Sequence, residues 1–392
     1  MERKKIGILT FWDSNDNYGQ QLQCWALQQV LKEMGYEPFL IRYVVAKKKD
    51  KLHSSILCQF FKLILVYPVI RNLLWRIKSK KMLELKKRNQ ERNKMRRFEE
   101  FREAQLSLSD KIYYGLRDMQ NIPPVADVYI CGSDQVWGNL LQDETDDEYT
   151  SYFLNFGPSS TKRIAYAASY GMKSYPDAKR HLLRQQLLRF STISCREKDG
   201  VSICSSVGIK SSHVVDPTLL LSSFYYESKL GIKNKVRNNY IYVYSLNIRR
   251  PSDLYWNDLK NFALRNNQEI FVTPSSGYYL ADEIFDNVNY LYATIPEWIA
   301  LIRDCDLFVT SSFHGIVFSI LFHTPFIYVP VKGKYSIGNN RVLELLEDLQ
   351  LDSCILKRNY SYQLVNIDWQ EVDAILEKMK LSSFDFLRNS LN

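Results

Sequence analysis

The run Thr310-Ser311-Ser312-Phe313-His314-Gly315 places two hydroxyls, an imidazole and a glycine between an apolar stretch (306–309) and an apolar helical pattern (316–321). This reads as a buried strand that opens into a helix at a histidine. The first N–H groups of a helix have no partner within it, and the helix dipole is positive there. A phosphate or carboxylate binds well at such a place, held by Ser311, Ser312 and the backbone at Gly315. A histidine beside a bound anion can carry a proton. The same residues also describe a plain strand–turn–helix with a capping serine and a hydrogen-bonded histidine. Taken alone, they do not choose between the two.

Four more loops follow apolar runs and carry polar groups: Asn17-Tyr18-Gly19, Gly132-Ser133-Asp134-Gln135, Ser194-Cys195-Arg196 and Lys332-Gly333-Lys334. In doubly wound sheets such loops converge on one crevice. Asp134 can carry a proton, hold a sugar hydroxyl or cap a helix. Arg196 can clamp a carboxylate with two parallel bonds, or pair with Glu197. Lys332, Lys334 and Arg341 can neutralise a phosphate or stand in solvent. Gly19 and Gly132 allow close backbone approach, or simply a turn. His323, at the far end of the 313–322 helical pattern, reads as structural.

These loops need a scaffold. Apolar runs at 6–11, 39–43, 127–131, 163–171, 192–197 and 214–216 alternate with helical patterns at 22–34, 177–190 and 197–208. After a polar, lysine-rich stretch (222–238), a second alternation begins at 240–246. It continues with helices near 252–266, 296–304, 313–322 and 340–349 and strands at 269–273, 306–311 and 326–329. Strands alternating with helices in both halves predict an α/β chain of two Rossmann-like domains. The expected boundaries are 1–221, a linker at 222–238, and 239–392, with the last helices packing back on the first domain. A length of 392 residues suits two full cores.

Residues 47–104 interrupt the pattern as a helical, basic insertion. Its apolar part, 56–75, contains Lys62, Arg71 and Pro68, which argues against a membrane span and for a helical hairpin with an interfacial face. Between Arg76 and Arg102, twelve Lys/Arg face four Glu, which accounts for nearly all of the net charge of +9. Such a tract suits an anionic membrane surface, or is a solvated face. Seven scattered cysteines without a CxxC pair, and no apolar leader after Met1, predict a reducing, cytoplasmic setting. Five histidines without paired spacing argue against a structural zinc site. No GxxxxGK[ST], GxGxxG or GxSxG motif is present.

Taken together and in order, several stretches resemble the polysaccharide pyruvyl transferase family: 6–11, 17–27, 129–137, 164–171, 194–200, 215–220 and 310–315. The resemblance implies two Rossmann-like domains facing across a cleft, as in GT-B glycosyltransferases. It implies transfer of pyruvate from phosphoenolpyruvate to a sugar, usually as a ketal across two hydroxyls. No cofactor is expected, with phosphoenolpyruvate as co-substrate. The implied acceptor is a lipid-linked or nucleotide-linked glycan precursor of capsule, exopolysaccharide or cell wall. His314 matches the family's histidine. Many members carry an arginine two residues earlier, where this chain has Ser312, so donor binding shifts to Arg196, Lys332, Lys334 or Arg341. On this reading His314 and Asp134 are catalytic. Ser311, Ser312 and Gly315 complete the donor site, and Asn17, Tyr18, Gly19, Gln20, Ser133 and Gln135 bind the acceptor. Peripheral contact through 56–102 would place the protein at the inner face of the plasma membrane, with no nucleic-acid partner. Two alternatives stand beside it. One is a nucleotide-sugar glycosyltransferase, with Tyr278 or Trp298 stacking a base. The other is a non-enzymatic membrane-surface binding protein.

Overall fold

The computed structural model describes residues 3–45, 68–138, 140–141, 150–232, 238–276, 283–357 and 362–392, without the side chains at 68–79, 81, 334, 335 and 337. Seven strands form the first sheet: β1 (Lys5–Leu9), β2 (Glu37–Val44), β3 (Leu108–Tyr114), β4 (Val128–Cys131), β5 (Lys162–Ala168), β6 (Thr192–Cys195) and β7 (Ser212–His213). Their order is 3-2-1-4-5-6-7. Five form the second: β8 (Tyr240–Leu246), β9 (Glu269–Ser275), β10 (Asn289–Tyr290), β11 (Leu307–Thr310) and β12 (Phe326–Tyr328), in the order 10-9-8-11-12. Every described pairing is parallel. The central strands β4, β8 and β11 are buried along their whole length. Both sheet faces are therefore covered, and the strands read as unbroken apolar runs.

Strand β3 and the short strand β10 were not expected from the sequence. Residues 108–114 (Leu-Ser-Asp-Lys-Ile-Tyr-Tyr) alternate and are mostly half-exposed. They belong to a sheet edge, where polar residues are favoured. The 222–238 stretch, expected as a linker, contains a built helix. Ser222 caps Ser223–Leu230, and Tyr226 of this helix is buried against Trp25 and Phe318. The run expected as a strand at 214–216 pairs two residues earlier, at Ser212–His213. Val215 N–H instead bonds Ser383 Oγ at 3.0 Å.

The two lobes share one apolar cluster, which runs from Ile6, Tyr18 and Leu22 through Trp298, Phe313 and Phe318 to Val372 and Leu391. At its centre the Tyr18 ring stacks on Trp298 at 4.8 Å, and Phe98 and Tyr244 meet Tyr18 edge-on. The Tyr18 hydroxyl donates to Ala293 O and accepts from Arg96 Nη1, both at 2.6 Å. The Trp369–Leu391 helix crosses back over the first lobe, with Ser390 Oγ 2.9 Å from Thr192 Oγ1 and the Leu391 carbonyl 3.4 Å from Lys4 Nζ.

The insertion follows β2 as the Pro68–Met95 and Phe98–Gln105 helices. Residues 46–67, most of the expected hairpin, lie outside the described residues. Several of the basic residues expected to form one open face are engaged internally. Arg96 is buried, Arg92 pairs with Glu283 at 2.7 Å, and Arg102 donates to Ser14 O at 2.9 Å. Burying so much aromatic surface between lobes makes them unfold together. Urea denaturation should show one transition, with Trp298→Ala lowering stability by about 3–5 kcal/mol. Two separated transitions in the wild-type chain would contradict the shared core.

Candidate functional site

Strand order reverses between β1 and β4 in the first sheet and between β8 and β11 in the second. Ligands bind beyond the carboxyl ends of strands at such switch points. Here both reversals are tied across. Thr10 Oγ1, just after β1, donates to Ser133 O at 2.6 Å, just after β4. Ser311 Oγ, after β11, donates to Leu246 O at the end of β8. Across the sheets, the Arg196 guanidinium lies 4.6 Å from the Phe313 ring centroid and Asp216, bonded to Ser133, lies 3.6 Å from His314 Nε2, so the loops after β4 and β6 face the helix that carries His314.

Asp216 ties these loops together. It heads the short turn Pro217–Leu220, and its Oδ1 accepts from Thr218 N–H at 3.0 Å and Thr218 Oγ1 at 2.6 Å. Its Oδ2 accepts from Ser133 Oγ at 2.6 Å and Arg196 Nη1 at 3.0 Å, and faces His314 Nε2 at 3.6 Å. Burial alone would raise its pKa. The charges of His314 and Arg196 and the Ser133 hydroxyl overcome this and hold it well below the usual carboxylate range. Sequence reasoning assigned Asp216 no role. The available signal was a carboxylate at the same sheet edge as the other candidates.

Arg196 is fully buried, with Nε on Glu197 Oε1 at 3.0 Å and its guanidinium 4.6 Å from the Phe313 ring centroid. Burial works against its charge, but Glu197 and Asp216 hold its pKa above the usual arginine value. Arg341 reaches the same ring at 5.7 Å and faces Asp134 Oδ1 at 3.8 Å. Three nitrogens here are buried without a hydrogen-bond partner: Arg196 Nη2, Arg341 Nε and His314 Nε2. Buried donors are normally satisfied, so such a group calls for an explanation.

His314 is 6% exposed and lies where the lobes meet. A Cβ built on Gly19 would lie 2.0 Å from His314 Nδ1, so the absent side chain at Gly19 makes room for the ring. Asp134 has φ +86°, a backbone that disfavours side chains, and its Oδ1 accepts from Gln135 N–H at 2.8 Å. The Gln135 side chain lies across Gly171, where a Cβ would be 2.1 Å from its Nε2.

Other expected residues serve the scaffold. Ser312 caps the Phe313–Leu321 helix by accepting from Gly315 N–H at 3.2 Å, so that N–H is not open to an anion. A Cβ at Gly315 would crowd Phe308 and Thr310 at 3.0–3.1 Å, so this glycine lets helix and strand pack closely. Tyr18 is buried in the shared core rather than facing an acceptor. Asn17 and Gln20, beside it, are half-buried, and neither is described touching His314 or Arg196. Lys332 turns to Asp253, 3.6 Å away, and the Lys334 side chain lies outside the described residues. Trp298, considered for base stacking, is fully buried against Tyr18, and Tyr278 lies outside the described residues. His323 pairs with Asp373 at 3.1 Å and stacks on Trp369.

A narrow cavity of about 20 Å³, room for about one water, is bounded by Arg196, Asp216, Phe313, Arg341 and Glu344. The expected cleft is thus nearly closed here, because the shared core draws the lobes together. Larger hollows of about 610–630 Å³ lie elsewhere and contain none of the three unpartnered nitrogens. Among the described residues, no cluster of three His, Cys, Asp or Glu side chains is placed to hold a metal ion.

Asp216→Asn leaves Arg196 and His314 without their shared counter-charge and should destabilise the fold by about 3–5 kcal/mol at neutral pH. Because the folded-state pKa is depressed, that contribution is present above the unfolded value of about 4 and is lost as pH falls below it. Variant and parent should therefore converge in stability in acid, as read by urea unfolding at a series of pH values.

Comparison with curated proteins gives no match. Among solved structures, the UDP-GlcNAc 2-epimerase of Methanocaldococcus jannaschii is 9% identical, with a TM-score of 0.47, covering 97% of this chain and 93% of that one. The S. aureus MnaA–UDP structure gives 12% and 0.45, covering 96% and 90%. The glycosyltransferase SnogD from Streptomyces nogalater gives 10% and 0.41, covering 99% and 100%. Likenesses this distant carry no argument of their own. The family model described as polysaccharide pyruvyl transferase, in contrast, matches residues 17–333, a span that contains β4, β6, Asp216 and the β11–helix junction. This chain belongs to the polysaccharide pyruvyl transferase family.

Proposed function

We propose that this protein transfers pyruvate from phosphoenolpyruvate to a sugar of a cell-surface polysaccharide precursor, carried on a lipid or a nucleotide, and closes a ketal across two hydroxyls. The observation that carries this reading is the set of buried nitrogens without a hydrogen-bond partner on Arg196, Arg341 and His314 around Phe313. A small anion with a carboxylate and a phosphate is a fitting partner for such donors. His314 protonates the donor's methylene carbon, and C2 becomes electrophilic. A sugar hydroxyl adds there, phosphate leaves, and a second hydroxyl closes the ring. Asp134 and Ser133 border the acceptor side.

Phosphoenolpyruvate should raise the melting temperature of the protein where UDP- and GDP-sugars do not. His314→Ala should lower phosphate release from phosphoenolpyruvate by about 10²–10⁴-fold. Gly19→Ala, which displaces the same ring, should cost about 10²-fold. Stabilisation by a nucleotide sugar alone would favour the glycosyltransferase reading. A folded protein that turns over no donor would favour the non-enzymatic one.

A lipid-linked acceptor would bring the protein to a membrane surface. Among the described residues, no helix is long and apolar enough to cross a membrane. On the Pro68–Met95 helix, Lys80, Lys86, Lys87 and Arg88 are exposed, with Met82 and Leu83 beside them. These basic residues fall on more than one side of the helix, and Glu84 is exposed among them; their net positive charge supports peripheral contact with anionic lipid, at about 1 kcal/mol per basic residue. Vesicles containing phosphatidylserine should bind the protein at low salt and release it at high salt. Reversing Lys86, Lys87 and Arg88 together should weaken binding by about 10²-fold, and unchanged binding would remove the membrane contact.

A further inference from the structure

Ketal formation needs a second proton carrier beside the histidine. Asp134 Oδ1 accepts from Gln135 N–H and faces Arg341, and Asp134 does not line the narrow cavity bounded by Arg196, Asp216 and Arg341. Glu344 lines that cavity with Arg196, Asp216, Phe313 and Arg341 and lies outside the stretch that the family model matches, and His314 Nε2 adjoins it through Asp216 Oδ2, 3.6 Å away. It follows Arg341 by one turn of the Asn340–Asp348 helix, so the two side chains leave the same face. Its Oε2 accepts from Lys198 N–H at 2.7 Å, which anchors the carboxyl across the lobe boundary. The Lys198 ammonium itself is turned to Asp348.

We infer that Glu344 is the second proton-transfer group of this site. The inference rests on the pyruvyl-transfer reading above. In the first step the His314 imidazolium gives its proton to C3, the hydroxyl oxygen bonds C2, and the hydroxyl proton passes to the Glu344 carboxylate. In the second step Glu344 returns that proton to the bridging oxygen of the phosphate, which leaves with the electron pair of its bond to C2. The second hydroxyl then bonds C2 and gives its proton to His314, so both groups end as they began.

The surroundings suit the role. Facing Glu344 are Lys198 and Asp199 at the head of the Lys198–Ser206 helix, Arg196 and Glu197 just before it, His213 and Asp216 across the cavity, and Arg341 and Asp348 on its own helix. Burial, reinforced by the negative charges of Asp199 and Glu197, raises its pKa to about 7 against the pull of the Lys198 N–H. A carboxyl poised there exchanges protons readily at neutral pH.

Glu344 also caps the Lys198–Ser206 helix from the opposite lobe, and the test separates the two roles. Phosphate release from phosphoenolpyruvate is followed from pH 5 to 9, with methyl glycosides as soluble acceptors. In the wild type, kcat should fall as pH drops through about 7, because the first step needs the ionised carboxylate. Glu344→Gln keeps an oxygen for the Lys198 N–H, so its melting temperature should match the wild type while kcat falls about 10²–10⁴-fold and the acid limb disappears. Glu344→Ala should lose the same rate and melting temperature as well. Wild-type kcat and an intact acid limb in Glu344→Gln, with loss confined to Glu344→Ala, would leave only the capping role. No phosphate release from the wild-type protein would instead overturn the pyruvyl-transfer reading.

Discussion

The head of the Tyr18–Glu33 helix sits against the second lobe, with Tyr18 stacked on Trp298 and Gly19 against the His314 ring. Two adjacent residues therefore set both the docking of the lobes and the place of the imidazole. The stack adds about 0.5–1.5 kcal/mol beyond the burial of its rings. The tyrosine hydroxyl also bonds a guanidinium and a carbonyl, at Arg96 and Ala293. Because this contact lies inside a continuous apolar cluster, the lobes are joined by a packed core rather than a loose hinge. Polar contacts add to this docking beside the narrow cavity, where Asn340 meets Asp199 and Glu344 meets the Lys198 N–H.

The charges in the site are interleaved. Asp134, Glu197 and Asp216 are buried beside Arg196, Arg341 and His314. Each guanidinium is held in a defined place by a carboxylate, Arg196 by Glu197 and Asp216 and Arg341 by Asp134, so the geometry of the site is set by the chain itself. The nitrogens without a hydrogen-bond partner are what remains of the donors' capacity.

Much of this was legible in the sequence because the strands are unbroken apolar runs that end in polar loops. Those runs locate β1, β4, β8 and β11, and so the two switch points. Ser133, Asp134, Arg196 and His314 follow from that pattern, and the structure brings them together. Arg341 reads from the sequence as a candidate cation, but Glu344, one turn further on, is harder to see, since one face of a helix is selected only once it packs against the other lobe. The roles of Ser312 and Gly315 also depended on packing, since a cap and a close helix–strand contact use the same residue types as an anion site. Tyr18 reads as a loop residue before a helix, and only the placement of Trp298 makes it core. Strand β3 escaped because an edge position asks little of its side chains.

The Trp369–Leu391 helix completes the first lobe, and the Lys4–Leu391 bond joins positions 387 residues apart. During synthesis from the amino end, the segment that covers this lobe emerges only after the second sheet has been made. Chain order and folding order therefore part company: the first Rossmann unit stays unfinished on the ribosome, with part of its surface bare, until the Trp369–Leu391 segment has followed the second sheet out.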